Sequence, residues 1–118
     1  MDRIALGKTG EKLAQDYLKR KGYRILEANY RCTIGEIDII AEKKGRLAFI
    51  EVRTRSSREF GTPEESITEA KKEKLASLCM EYVSSHNVSR EWHLDLVAVE
   101  FNREGKLQRI DHLPDVLA

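Results

Sequence analysis

Between Leu6 and Lys21, Gly10, Leu13, Ala14, Tyr17 and Leu18 recur at helical spacing and form one apolar stripe, which predicts a first helix. Lys19, Arg20 and Lys21 place cations in its last turn, and Gly22 can take the left-handed position that ends it. Tyr23 to Tyr30 reads as a strand. Two stronger strands follow, Glu36 to Ala41 and Leu47 to Arg53, joined by the turn Lys43-Lys44-Gly45-Arg46. Residues 54 to 61 are polar and irregular. A second helix is predicted to open with Thr62 as N-cap, Pro63 at its first position and Glu65 completing a capping box. Ile67, Leu75, Leu78, Cys79 and Tyr82 carry its apolar face to about Ser85. A hairpin closes the chain: Leu94 to Val99, a turn at Asn102 to Lys106, then Leu107 to Ile110. The order α-β-β-β-α-β-β, with its strand–helix–strand step after Arg53, predicts an α/β fold with a right-handed crossover and a mixed sheet flanked by helices.

Strand alternation brings chemistry into this pattern. With Lys44-Gly45 as a two-residue loop, 43 pairs with 46, 40 with 49, 38 with 51 and 36 with 53. Glu36, Asp38, Glu51 and Arg53 then share one face, and Ile37, Ile39, Ala41, Ala48, Ile50 and Val52 share the other. Glu36 opposite Arg53 is an ordinary favourable pair. Asp38 opposite Glu51 is not, because directly opposed side chains lie about 4.5–5.5 Å apart at Cβ, where like charges destabilise. Such a pair raises a pKa or binds a cation, and oxygen-only ligands suit Mg²⁺ or Mn²⁺. The bland alternative is a solvated face on which two acids happen to meet. Ile40 and Phe49, which flank the pair, speak against it.

Composition narrows the classes. The 118 residues suit one domain, 1–118, and 41% hydrophobic residues suffice for one core. There is no apolar run long enough to span a bilayer, and Met1 to Leu6 lacks the stretch of a signal peptide, so a cytoplasmic location without membrane contact is expected. Cys32 and Cys79 have no zinc spacing and read as free thiols. His86, His93 and His112 are scattered and read as surface or strand residues. A net charge of +1 is lower than is usual for a protein that holds nucleic acid by bulk charge; a local patch, a dimer or a metal would have to supply the binding.

Gly35-Glu36-Ile37-Asp38-Ile39-Ile40, followed by Phe49-Ile50-Glu51-Val52-Arg53-Thr54-Arg55, resembles the YraN-like family of predicted endonucleases. That family is related to archaeal Holliday-junction resolvases within the PD-(D/E)xK superfamily. The resemblance includes Gly10-Glu11 with Ala14 and Tyr17-Leu18, Asn29 with Arg31, Phe60-Gly61 with Pro63, and Lys71 with Leu75, and ends at Asp95. It implies a restriction-endonuclease-like core and a metal site of Glu11, Asp38 and Glu51, with position 53 where the superfamily usually has lysine. Here 53 is arginine, which in practice does not lose its proton and is a poor general base, although it can orient water or stabilise phosphate charge.

Glu11 lies at the edge of its helix's apolar stripe, and Gly7 and Gly10 would let that helix approach the sheet. Lys71 sits between Ile67 and Leu75 at four-residue spacing. Two readings stand equal: its ammonium snorkels to solvent, or it points at the acids and compensates for Arg53. Asp95 reads as structural. Arg53, Arg55 and Arg58, with Lys71, Lys72 and Lys74, can form a phosphate-binding rim, against the alternative of an ordinary mixed-charge surface. The leading expectation is a Mg²⁺- or Mn²⁺-dependent endonuclease acting on DNA, with branched DNA and a homodimer implied by the resemblance. The alternatives are a nucleic-acid-binding module that keeps the fold without catalysis, and a protein-interaction domain.

Overall fold

The computed structural model describes residues 2–117; Met1 and Ala118, the ends of the expected domain, lie outside the described residues. Helix α1 spans Arg3–Arg20. It starts a turn earlier than the apolar stripe indicates because the Asp2 side chain accepts a hydrogen bond from Ala5 N at 2.8 Å and caps it. Strands β1 (Arg24–Cys32), β2 (Gly35–Lys43) and β3 (Arg46–Arg55) follow, then helix α2 (Glu69–Ser85) and strands β4 (Trp92–Phe101) and β5 (Leu107–Leu113). The five strands form one sheet in the order β1-β2-β3-β4-β5, with β3 and β4 parallel and the other neighbours antiparallel. This is the expected mixed sheet.

Each face carries one helix. Ala14 and Leu18 of α1 pack on Ile39, Ala41, Ala48, Ile50, Val97 and Val99. Leu75, Leu78, Cys79 and Tyr82 of α2 pack on Ile37, Ile40, Phe49 and Leu94. Gly10 lets α1 close on the sheet, since a Cβ there would collide with the Thr54 side chain. Gly7 plays no such part, because nothing lies within 4 Å of where its Cβ would be.

The hairpin turns where expected. Lys44 and Gly45 both have positive φ, 52° and 78°, which a two-residue turn matching the strand twist requires. Lys43 pairs with Arg46 and Ile40 with Phe49, but the β2–β3 ladder ends at Ile39 with Ile50. The expected backbone pairings of 38 with 51 and of 36 with 53 therefore do not form. Strict alternation also fails at this point. Ile37 packs with Ile40 on the α2 side, whereas Ile39 faces α1. The break falls at Asp38, beside Asn29 of β1, which adopts φ 54° between the Ala28–Ile39 and Tyr30–Ile37 pairs.

The second helix departs most from expectation. Thr62 and Glu65 do exchange capping-box hydrogen bonds, Thr62 N to Glu65 Oε1 at 2.9 Å and Glu65 N to Thr62 Oγ1 at 3.3 Å. They open only a single 3-10 turn, Glu64–Ser66, after which Ile67 is extended. The α-helix restarts with its own cap, Thr68 Oγ1 accepting from Lys71 N at 3.2 Å.

Candidate metal centre

Past Ile39 and Ile50, β2 and β3 part, and a carboxylate occupies the fork. Asp38 Oδ2 accepts from Val52 N at 2.8 Å, taking the place of a ladder bond. Glu36 follows from β2, and Glu11 arrives from α1, which Gly10 holds against Thr54 of β3. One carboxylate oxygen each of Glu11, Glu36 and Asp38 lie within 4.8 Å of one another. Asn29, with its amide turned so that its nitrogen faces the acids, donates to Glu36 at 2.8 Å and to Glu11 at 3.3 Å. Glu51 lies on the β3 side of the fork.

Electrostatics follow from that crowding. Burial pushes the Asp38 carboxyl up, and the Glu51 charge pushes it further, against the hydrogen bond from Val52 N that favours its ionised form. Glu11 is raised to about 7 by burial, then by the charges of Asp38 and Glu36, with Lys8 opposing weakly. Cations reach only the margins: Arg31 meets Glu36 at 3.2 Å, and Arg53 meets Glu51 at 3.1 Å. Carboxylate oxygens alone form a hard donor set. Adjacent ligands on octahedral Mg²⁺ lie about 3 Å apart and opposite ones about 4.2 Å, so three oxygens within 4.8 Å of one another draw inward to hold one ion. The residues present fit a divalent cation.

Of the three acids expected at the site, Glu11 and Asp38 join in one cluster with Glu36, while Glu51 borders it through Asp38 alone. The sequence had assigned Glu36 to Arg53. Instead Glu36 faces Arg31 and Asn29, and Arg53 divides between Glu51 and Ser66, its Nε donating to Ser66 Oγ at 2.9 Å. The signal for Glu36 was present, two residues before Asp38 on a strand, but it presumed a ladder that stops too soon.

The cations fit expectation less well. Lys71 does not point at the acids; it is exposed, and its Nζ donates to Ser66 O at 3.2 Å. Its apparent stripe needed a helix running from Thr62, and Ile67 breaks that helix. Arg58 is held bidentately by Glu100, at 3.1 to 3.3 Å, and belongs to a separate ion network with Arg109. Arg55 is half-buried, and its Nε has no hydrogen-bond partner among the described residues. Lys74 lies beside Gly35 at the β1–β2 turn. Lys72 is half-buried and faces a crevice that also contains Glu51. The expected rim is thus dispersed, with Arg53 at the fork and Lys72 next to it.

Asp95 is fully buried, with His112 Nε2 at 2.6 Å and Asp115 N donating at 2.9 Å. Both cysteines are free thiols. Among the described residues no helix is long and apolar enough to cross a membrane.

The model of the family described as "Uncharacterised protein family UPF0102" matches residues 10–99, which include both motifs that converge on the fork. A UPF0102 protein of Desulforamulus reducens is 44% identical over 120 residues, covering 99% of this chain and 98% of the relative. One from Caldanaerobacter subterraneus is 38% identical over 115 residues, covering 96% and 94%. A third, from Roseiflexus castenholzii, is 40% identical over 114 residues, covering 95% and 92%. By sequence along nearly its whole length, the chain belongs to the UPF0102 family.

Proposed function

We propose that this chain is a metal-dependent endonuclease that hydrolyses DNA phosphodiester bonds, a single restriction-endonuclease-like domain with Asp38, Glu51, Glu11 and Glu36 around the metal. One observation carries the reading: acids from two strands and a helix converge where the sheet opens, and the most enclosed of them, Asp38, faces another acid instead of a cation. Folding does not need this arrangement. Like charges in a partly buried fork oppose folding, and a divalent cation offsets the cost. When bound, Mg²⁺ or Mn²⁺ polarises a phosphodiester and makes water more acidic.

The chain's own residues do the rest. Val52 N fixes Asp38. Arg53 holds the Glu51 carboxylate and is itself held by Ser66, whose hydroxyl donates to Pro63 O. The 3-10 turn thus acts as a bracket that aims the guanidinium. Arg53 then stabilises negative charge on the phosphate without serving as a base. Glu11, raised to about 7 by burial and its acidic neighbours, gives up its proton on joining the metal.

A second reading has its own observation. Position 53 carries an arginine already engaged by Glu51, and Lys71 does not reach the fork to replace a lysine. This favours a nucleic-acid-binding module that keeps the nuclease fold. Incubation with linear, flapped and four-way DNA, with Mn²⁺ or Mg²⁺ against chelator, separates the two. Metal-dependent cleavage supports the nuclease. Retardation without cleavage at any metal concentration supports the module. A preference for four-way DNA, with a homodimer placing two forks on two strands, rests on the resolvase resemblance.

A further inference from the structure

On the α2 side, Glu51 also forms one end of a crevice of about 200 Å³. Its walls are aliphatic: Ile67 and Leu75 from the α2 side, and Leu96 and Leu113 from β4 and β5. Lys72 and Glu64 stand at its polar margin, and Val116 closes one side, its backbone N–H bonded to Leu94 O at 2.8 Å. The acidic fork does not need this crevice.

Resting on the nuclease reading above, we propose that the crevice receives one unpaired nucleobase of the strand being cut, so that the substrate class is DNA with an unstacked base next to the scissile bond. Its place argues for this. Glu51 belongs to both the fork and the crevice, so an occupant lies next to a phosphate positioned at the acids. Its size argues for one ring system, since pockets for drug-sized ligands run from about 300 Å³ upward. Its chemistry also matches. Aliphatic walls accept the faces of a base, as in enzymes that extrude a base from the stack. Glu64 is bound to Arg109 at 2.8 and 3.2 Å, but a carboxylate keeps further acceptor sites for an amino group or ring N–H. Among the described residues Lys72 is tied to the exposed Glu69 alone, at 3.5 Å, and can turn to a backbone phosphate. A base inside a duplex cannot enter. A flap, a bulge or a junction centre already carries the cost of unstacking.

The test uses the full chain with Ca²⁺ and DNA carrying 2-aminopurine, either unpaired at a flap junction or paired within a duplex. Binding is followed by anisotropy and base environment by aminopurine fluorescence; cleavage is assayed separately with Mn²⁺. The expected result is a several-fold fluorescence rise for the unpaired probe only. Filling the crevice by Leu113→Trp, or from its other side by Val116→Phe, abolishes the rise at DNA concentrations where anisotropy still reports binding. Two variants are used because either alone can fail to fold. Cleavage with no fluorescence change on binding overturns the base pocket and leaves the nuclease standing. A rise that survives both filled variants also overturns it. Neither binding nor cleavage of any DNA overturns both readings.

Discussion

Two clusters of charge sit on this sheet, and they are built oppositely. In one, Arg109 binds Glu64, Glu100 and Asp111 at 2.8 to 3.2 Å while Arg58 clamps Glu100 from the other side. Hydrogen bonds from Arg109 hold the Glu64 and Glu100 carboxyls below the usual range. In the fork, Glu11 and Asp38 are shifted up, by burial first and neighbouring acids second. The first cluster is complete: every carboxylate in it meets a guanidinium, and it ties β4 and β5 to the 3-10 turn. The second lacks positive charge in the space its acids enclose. Acids alone would not separate the two clusters. What separates them is whether the fold itself supplies the counter-charge, and perturbed groups without one mark the candidate site.

The largest expected effect comes from breaking the fork. Asp38→Asn keeps an oxygen that can accept from Val52 N but removes one of the mutually repelling charges. DNA cleavage should fall by orders of magnitude while DNA retardation persists, and metal-free stability should hold or rise. If cleavage and metal response both survive, Asp38 is not a site residue.

Metal should act on the same imbalance. A ligand that binds only the folded state stabilises it by about 2.7 kcal/mol at a hundredfold excess over Kd. Mn²⁺ or Mg²⁺ should therefore raise the melting temperature of the natural protein, and less so that of Asp38→Asn. The pH dependence has a definite sign. A carboxyl whose folded pKa is raised binds more protons folded than unfolded, so its stabilisation is present at low pH and lost as pH rises through the folded value. Glu64 and Glu100, shifted down, are already ionised above about pH 5 and add no slope there. Metal-free protein should thus lose stability between about pH 5 and pH 8, through the Glu11 value of about 7. Saturating Mg²⁺ should flatten that decline. A flat profile without metal would mean that the acids are better solvated than the fork implies.

Breaking the balanced cluster gives the converse. Arg109→Met leaves Glu100, which is 7% exposed, with Arg58 alone. Removing one partner of a fully buried ion pair costs about 3–5 kcal/mol. Because Arg109 is partly exposed, a loss of roughly 2 kcal/mol by urea denaturation is expected. The metal-dependent shift in melting should change little, since Arg109 reaches the fork only indirectly, through Glu64 of the 3-10 turn. If it shrinks, the two clusters are coupled and the contrast between them fails.

Much of this was legible in the residues, and the failures share one cause. Lys44-Gly45 dictates its turn by backbone conformation, so the hairpin register could be read. From it came Asp38 and Glu51 as neighbours, flanked by Ile40 and Phe49 on a face that is not fully solvated. The fork could not be read, because alternation carries no information on where a ladder stops. Glu36 was therefore paired with Arg53, and Ile37 was placed on the same face as Ile39. Likewise Thr62-Pro63-Glu64-Glu65 is a sound start signal, but a start signal does not specify how many turns follow. Lys71 was read within a continuous apolar stripe as a result, and of its two readings the exposed one holds. Glu11 could be placed at the edge of a helical stripe, but its role came only from resemblance. The Gly10–Thr54 contact that brings it to the acids joins residues 44 positions apart.

The smallest expected effect tests that interrupted helix, and with it the bracket behind Arg53. Thr68 caps α2 through Lys71 N, so Thr68→Ala should cost about 1 kcal/mol of global stability. Thr62 serves a single 3-10 turn whose Glu64, Glu65 and Ser66 lie outside the core, and Pro63 beside it is held by its own burial. Thr62→Ala should therefore cost only a few tenths of a kcal/mol, below the usual figure for a helix cap. Its effect should appear in function instead. Once Thr62 Oγ1 no longer accepts from Glu65 N or donates to Glu65 Oε1, the turn is left with the backbone bond from Thr62 N and can loosen. Ser66 then holds Arg53 less firmly, and Arg53 holds Glu51 less firmly. The expected signature is a modest fall in kcat for DNA cleavage with little change in DNA affinity or urea midpoint. A Thr62→Ala loss as large as that of Thr68→Ala would instead mean that the two segments fold as one helix, and that the 3-10 turn does not act as a separate bracket.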